Sequence, residues 1–173
     1  LPDGLIKALW SLRAVTAYTA AGKGKAATDE VIAMGDRAPE LRLLAAATCG
    51  NQWNLGADVV VRAWDAVATG AYRNVARAAA AQALYQRGKY DASADRIAQL
   101  VADLDLTALP ARLDGLMYAF NQSRRGQAGW QMVWATWRER VLAGTSYEHV
   151  MALLFASAQQ GGDVTPILAR AAE

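Results

Sequence analysis

The sequence has little of what catalytic, metal-binding or disulfide-stabilised proteins require. Cys49 is the only cysteine and His149 the only histidine among 173 residues. A single cysteine excludes an intramolecular disulfide, and no Cys/His pair has the spacing of metal ligands. A catalytic nucleophile needs a base within hydrogen-bond reach, and the sequence indicates no such pair. We therefore expect a chain that is not an enzyme and has no cofactor or metal, with Cys49 as a small buried residue.

Excess charge and long apolar runs are also missing. Lys and Arg number 18 and Asp and Glu 16, which gives a formal net charge of +2. So small an excess does not favour nucleic acid as a partner. No apolar run reaches the roughly 20 residues that a membrane-spanning helix needs, so direct membrane insertion is not expected. Without an initiating methionine or a signal peptide, the chain is expected to be a piece of a larger protein. A single cysteine fits any compartment, so localisation stays open, with the cytoplasm slightly favoured over the periplasm.

Alanine is abundant, whereas strand-forming patterns are scarce. The chain contains 39 alanines, and its valines, isoleucines and threonines never alternate with polar residues over the length of a strand. Only four prolines occur, and Pro39, Pro110 and Pro166 fall where a helix could begin. The sequence therefore predicts an all-α protein. Its richness in alanine and arginine indicates a bacterial genome of high GC content.

Polar turns that contain glycine divide the chain at regular intervals. Gly22, Gly56, Gly88, Gly126 and Gly162 are separated by 34, 32, 38 and 36 residues. Further breaks between these glycines split each interval into two helical segments. Periods of this length are typical of stacked helical hairpins, each of which buries its apolar stripe against its neighbours. We predict about five antiparallel helix pairs that form one α-solenoid domain over residues 1–173.

One segment, Ala81–Val101, resembles a tetratricopeptide repeat. Ala81 occupies the small position of the first helix, Gly88 the turn and Ile97 the large apolar position of the second helix, but Ser93 stands where alanine is usual. The resemblance implies a superhelix whose first helices line a concave groove, while the second helices form its convex back. In such proteins the groove binds a peptide or a helix of a partner.

The resemblance also implies which side chains line the groove. Carried onto matching positions, it places Trp53, Gln82, Tyr85, Phe120 and His149 there. This surface is apolar and poor in cations, which favours a hydrophobic helix or strand of a partner protein, a peptide, or another domain of the same polypeptide. The predicted function is therefore a non-catalytic interaction module or scaffold.

Several alternatives remain open at the level of sequence. A small-molecule sensor would need an enclosed apolar pocket of about 300 to 1,000 Å³. An all-α enzyme would need a cluster of perturbed carboxylates, or His149 paired with one. A second docking surface is also open, because Trp130, Trp134 and Trp137 form one helical stripe. Such a stripe is typical of a core but also of an exposed aromatic surface.

Overall fold

A computed structural model describes residues 3–103, 117–144, 150–151, 153–154, 157–158 and 163–172. The described residues form helices and turns, with no β-strand among them, which confirms the predicted all-α class. The helices are α1 (Asp3–Ala20), α2 (Gly24–Ala33), α3 (Pro39–Gly50), α4 (Ala57–Val67), α5 (Arg73–Gln86), α6 (Tyr90–Asp103), α7 (Met117–Gln122), α8 (Gly126–Ala143) and α9 (Thr165–Ala171). Short 3₁₀ helices at Gly35–Arg37 and Gly70–Tyr72 precede α3 and α5.

The predicted glycine turns end helices in the same way at two places. Gly22 follows α1 and Gly88 follows α5, and both have a φ of 69°. Behind each glycine, the next backbone N–H reaches back five residues, from Lys23 to the Tyr18 carbonyl at 2.8 Å and from Lys89 to the Leu84 carbonyl at 2.9 Å. This left-handed cap satisfies helix-terminal carbonyls, and only glycine adopts it without steric cost.

Neighbouring helices pack against one another along the chain. From α1 to α8, each helix contacts the next, and further contacts join α1 to α3, α2 to α4, α3 to α5 and α6 to α8. The amino-terminal helices bury side chains such as Val15, Val31 and Val60, whereas a second cluster contains Ile97 and Leu153. Among the described residues, no helix is long and apolar enough to cross a membrane.

Individual packing predictions can be compared with the structure. Cys49 is fully buried, as predicted, and α3 begins at Pro39. Ser93, which departs from the alanine usual in tetratricopeptide repeats, is also fully buried, and its hydroxyl donates to the Ala81 carbonyl at 2.8 Å. Because α5 supplies that carbonyl, the hydroxyl adds a polar link between α5 and α6 where alanine would give contact alone. Pro110 lies outside the described residues.

Candidate functional site

Helices α3 and α5 lie side by side and are joined near both ends. At their amino-terminal ends, the Tyr72 hydroxyl donates to a Glu40 carboxylate oxygen at 3.1 Å. At their carboxyl-terminal ends, Arg87 donates to the carbonyls of Gly50 and Gln52 at 3.3 and 2.9 Å. The two helices therefore run in the same direction.

Arg87 has an unusual set of partners, because within the described part of the chain it binds carbonyls and no carboxylate. Besides the Gly50 and Gln52 carbonyls, its guanidinium donates to those of Leu55 at 3.1 Å and Ala83 at 3.2 Å. Partial burial lowers the pKa of Arg87 from its ordinary value, although the group remains a cation at neutral pH. A cation at the carboxyl-terminal end of α3 also interacts favourably with the helix dipole. The side chain thus fastens residues 50–55 to the end of α5.

The turn that Arg87 fastens carries the exposed Trp53. This indole is 73% exposed, although tryptophan is among the most apolar residues. The Trp64 indole packs closely against Gly50, the last residue of α3. A Cβ atom built on Gly50 would lie only 3.0 Å from Nε1 of Trp64. A larger residue at position 50 would therefore crowd the Trp64 indole, and the exposed Trp53 lies on a turn that Arg87 holds.

Other exposed residues accompany Trp53 on the same helix pair. Leu44 of α3 and Val75 of α5 are each 52% exposed, and Gln82 of α5 is exposed as well. We call Leu44, Trp53, Val75 and Gln82 the α3–α5 surface. Tyr85 is half-buried, with its ring centroid 5.9 Å from that of Tyr90 and its side chain packed against the second core cluster.

Of the two remaining residues assigned to the groove, only Phe120 is among the described residues. Phe120 is fully buried in the second core cluster, so its side chain is not part of the α3–α5 surface. His149 lies outside the described residues. Of the tryptophan stripe, Trp134 is half-buried and packs against the second cluster. The side chains of Trp130 and Trp137 are outside the description.

A contrasting surface is built from ion pairs that involve α2, α4 and α6. Asp29 of α2 pairs with Arg62 of α4 at 3.2 Å, and both carboxylate oxygens of Asp65 accept from Arg96 of α6. The hydrogen bond from Arg96 to Asp65 raises the pKa of that guanidinium. The series continues from Asp95 of α6 to Arg125, at 2.7 Å, before α8. We call these six residues the ion-pair surface.

The residues predicted from the sequence include Trp53 and Gln82, which the structure exposes, but not Arg87 or Leu44. On α3 the structure buries Ala46 completely and exposes Leu44, which lies two residues earlier. Because helical side chains advance by about 100° per residue, an error of two positions turns a residue from the surface to the core. Arg87 could have been noticed as an arginine next to the Gly88 turn, but three of its four carbonyl partners lie more than 30 residues away in the sequence.

The described side chains offer little catalytic chemistry. Burial raises the pKa of the Cys49 thiol to about 11, so the group is protonated at neutral pH and is a poor nucleophile. No group of three or more metal-ligating side chains occurs in the described part of the chain. A cleft of about 340 Å³ between α1 and the end of α2 is bordered by Lys7, Trp10 and Met34 and is partly open to solvent.

Comparisons with protein-family models, with curated proteins and with solved structures found no significant match to this chain.

Proposed function

We propose that the chain is a helical-repeat module of the tetratricopeptide type, which binds a partner peptide or helix on its α3–α5 surface. In this proposal α1, α3 and α5 are the first helices of successive pairs, and α2, α4 and α6 are the second helices. The module acts as a scaffold and performs no chemistry of its own.

The recurrence of buried positions supports the repeat arrangement. First-helix residues 34 apart are buried alike, namely Ala8, Arg42 and Ala76, and again Val15, Cys49 and Ala83. Second-helix residues 33 apart are also buried alike, namely Ala27, Val60 and Ser93, and again Met34, Val67 and Leu100. Equal burial at equal intervals is what stacked units require, because each unit buries its apolar stripe against the next.

Hydrogen bonds between pairs give independent support for the same arrangement. The Thr28 hydroxyl donates to the Val59 carbonyl 31 residues later, and Tyr72 and Glu40 are 32 residues apart. The backbone N–H of Arg124 donates to Asp91, 33 residues earlier. These separations match one repeat, so each bond joins neighbouring pairs.

One observation carries the assignment of binding to the α3–α5 surface. Trp53 is 73% exposed on a turn that Arg87 fastens with several hydrogen bonds. Because the backbone of this turn is already held, less conformational freedom is lost when the exposed indole is covered by a partner, and tryptophan is enriched among interface hot spots. Gln82 can donate to and accept from the backbone of an extended or helical ligand, and Leu44 and Val75 add apolar contact.

The test is affinity capture with a variant that removes both the indole and the amide, Trp53→Ala with Gln82→Ala. Both side chains are exposed, so the variant should keep its helical circular dichroism and lose at most roughly 0.5 kcal/mol of unfolding free energy. A partner that is captured from a lysate of the source organism and identified by mass spectrometry should bind the variant at least tenfold more weakly, as for loss of a hot spot.

The matched control is Met132→Ala on α8, because Met132 is 74% exposed and just as apolar. It should leave the affinity for that partner unchanged. If both variants bind the partner as the unmodified chain does, the α3–α5 surface is not the binding site. If only Met132→Ala weakens binding of the partner, the binding site lies on α8 instead.

A further inference from the structure

Helix α1 has large apolar side chains on the side that faces away from the core. Its buried residues Ala8, Val15 and Thr19 form the stripe that packs on α2 and α3. On the opposite side, Ile6 is 39% exposed and Trp10 64% exposed. Large apolar side chains that are exposed together on one side of a helix are suited to a protein contact.

The exposed side also has a charge at each end. Asp3, Ile6, Trp10 and Arg13 are spaced by three, four and three residues, which places them on one stripe of the helix. We call this stripe the α1 outer face. Neither Asp3 nor Arg13 has an ion-pair partner among the described residues. The Arg13 guanidinium lies 5.4 Å from the Trp10 ring centroid, which keeps the cation beside the indole.

The order of these four residues makes the stripe complementary to itself. When two copies of α1 are placed antiparallel about a twofold axis near residue 8, Asp3 of one copy faces Arg13 of the other. Ile6 of one copy then faces Trp10 of the other. Every contact occurs twice, as in any interface with twofold symmetry. In the parallel orientation, like charges would lie opposite each other and repel.

We propose that the α1 outer face binds a second copy of this chain, as an antiparallel helix pair with two Asp3–Arg13 ion pairs and two Ile6–Trp10 contacts. This inference is independent of partner binding on the α3–α5 surface. The contact covers residues 3–13, about 15 Å of helix at 1.5 Å per residue, so it is a small interface. Small interfaces give weak complexes, and we expect a dissociation constant on the order of 10 to 100 μM.

The test is sedimentation equilibrium of the purified full chain over a range from about 1 to 200 μM, with any purification tag at the carboxyl terminus. The unmodified chain should dimerise with increasing concentration. Arg13→Asp should raise the dissociation constant by roughly tenfold or more, because it places two carboxylates opposite each other at two sites. Asp3→Arg should do the same by placing two cations opposite each other.

The decisive variant exchanges the two charges, Asp3→Arg with Arg13→Asp. This variant restores both Asp–Arg ion pairs between the two copies, with the charges exchanged. Its dissociation constant should therefore return to within about threefold of that of the unmodified chain. Arg73→Asp is the matched control. It makes the same charge change at an exposed position of α5, away from the α1 outer face, and should leave dimerisation unchanged. Trp10→Ala should abolish the dimer while keeping the helical signal.

Three outcomes would overturn the proposal. If the chain stays monomeric throughout the concentration range, the α1 outer face does not bind a second copy of the chain. A dimer that is insensitive to Arg13→Asp and Trp10→Ala would have its interface elsewhere. A double exchange that remains as weak as the single variants would exclude the antiparallel Asp3–Arg13 pairing.

Discussion

The α3–α5 surface and the ion-pair surface differ in the side chains that they expose to water. On the α3–α5 surface, Leu44, Trp53 and Val75 are more than half exposed and contact water with apolar atoms. On the ion-pair surface, Asp65 and Arg96 meet in two hydrogen bonds. Where their side chains are described, α4 and α6 expose no large apolar residue.

This difference indicates which surface is available for a partner. The charges of the ion-pair surface already have partners within the chain, and a ligand would have to replace those contacts before gaining any. The apolar atoms of the α3–α5 surface have no such competing contacts, so covering them with a partner gains hydrophobic free energy at about 25 cal/mol per Å². The ion pairs therefore join α2 to α4 and α4 to α6, whereas Leu44 of α3 and Val75 of α5 remain more than half exposed to water.

The largest expected effect concerns Phe120, which the resemblance assigned to the same groove as Trp53 but which the structure buries. Phe120→Ala should lower the free energy of unfolding by roughly 3 to 5 kcal/mol, because a fully buried ring leaves a cavity. Urea denaturation followed by circular dichroism measures this loss. Trp53→Ala is the comparison, and it should cost less than about 0.5 kcal/mol. Equal losses for the two variants would contradict the division between core and surface.

The second prediction concerns the support beneath the α3–α5 surface. Arg87→Ala should cost roughly 2 to 3 kcal/mol of unfolding free energy, since several carbonyls lose a charged donor at once. Arg87→Lys keeps the charge but lacks the planar fork, so it should recover only part of the loss. Amide hydrogen exchange should also become faster at residues 51–55 in the alanine variant. Unchanged exchange there would mean that Arg87 does not hold the turn.

The smallest effect is expected on the ion-pair surface. Asp65→Asn should cost only about 0.2 to 1 kcal/mol, because the carboxylate and its Arg96 partner are partly exposed. The cost should shrink further in about 1 M salt, where exposed charges are screened beyond roughly 3 Å. Thermal melting of both forms at two salt concentrations measures it. A loss as large as that of Arg87→Ala would show that the ion pairs are the main support of the packing.

The helical class and the positions of the turns could be predicted from the sequence, because both depend on local chemistry. Alanine favours helix over the whole chain, and a left-handed cap such as that at Gly22 requires glycine wherever it occurs. Burial of Cys49 was predictable for a related reason, since a small apolar residue within an alanine run fits a close helix contact.

The composition of the surface was harder to predict, because it depends on how each helix is rotated against its neighbours. Leu43, Leu44 and Ala46 are all apolar, and only the packing of α3 decides that Leu44 is exposed while Ala46 is buried. The role of Arg87 depends on carbonyls of the preceding turn, and any arginine near a helix end has the same appearance in sequence.

The most direct test of the central claim is photo-crosslinking from both surfaces in a lysate of the source organism. A photoreactive phenylalanine analogue is placed in turn at positions 53 and 82 on the α3–α5 surface, and at positions 62 and 96 on the ion-pair surface. We predict that positions 53 and 82 give the same discrete adduct with one partner protein, and that positions 62 and 96 give none. Discrete adducts from positions 62 and 96, with none from 53 and 82, would contradict the account.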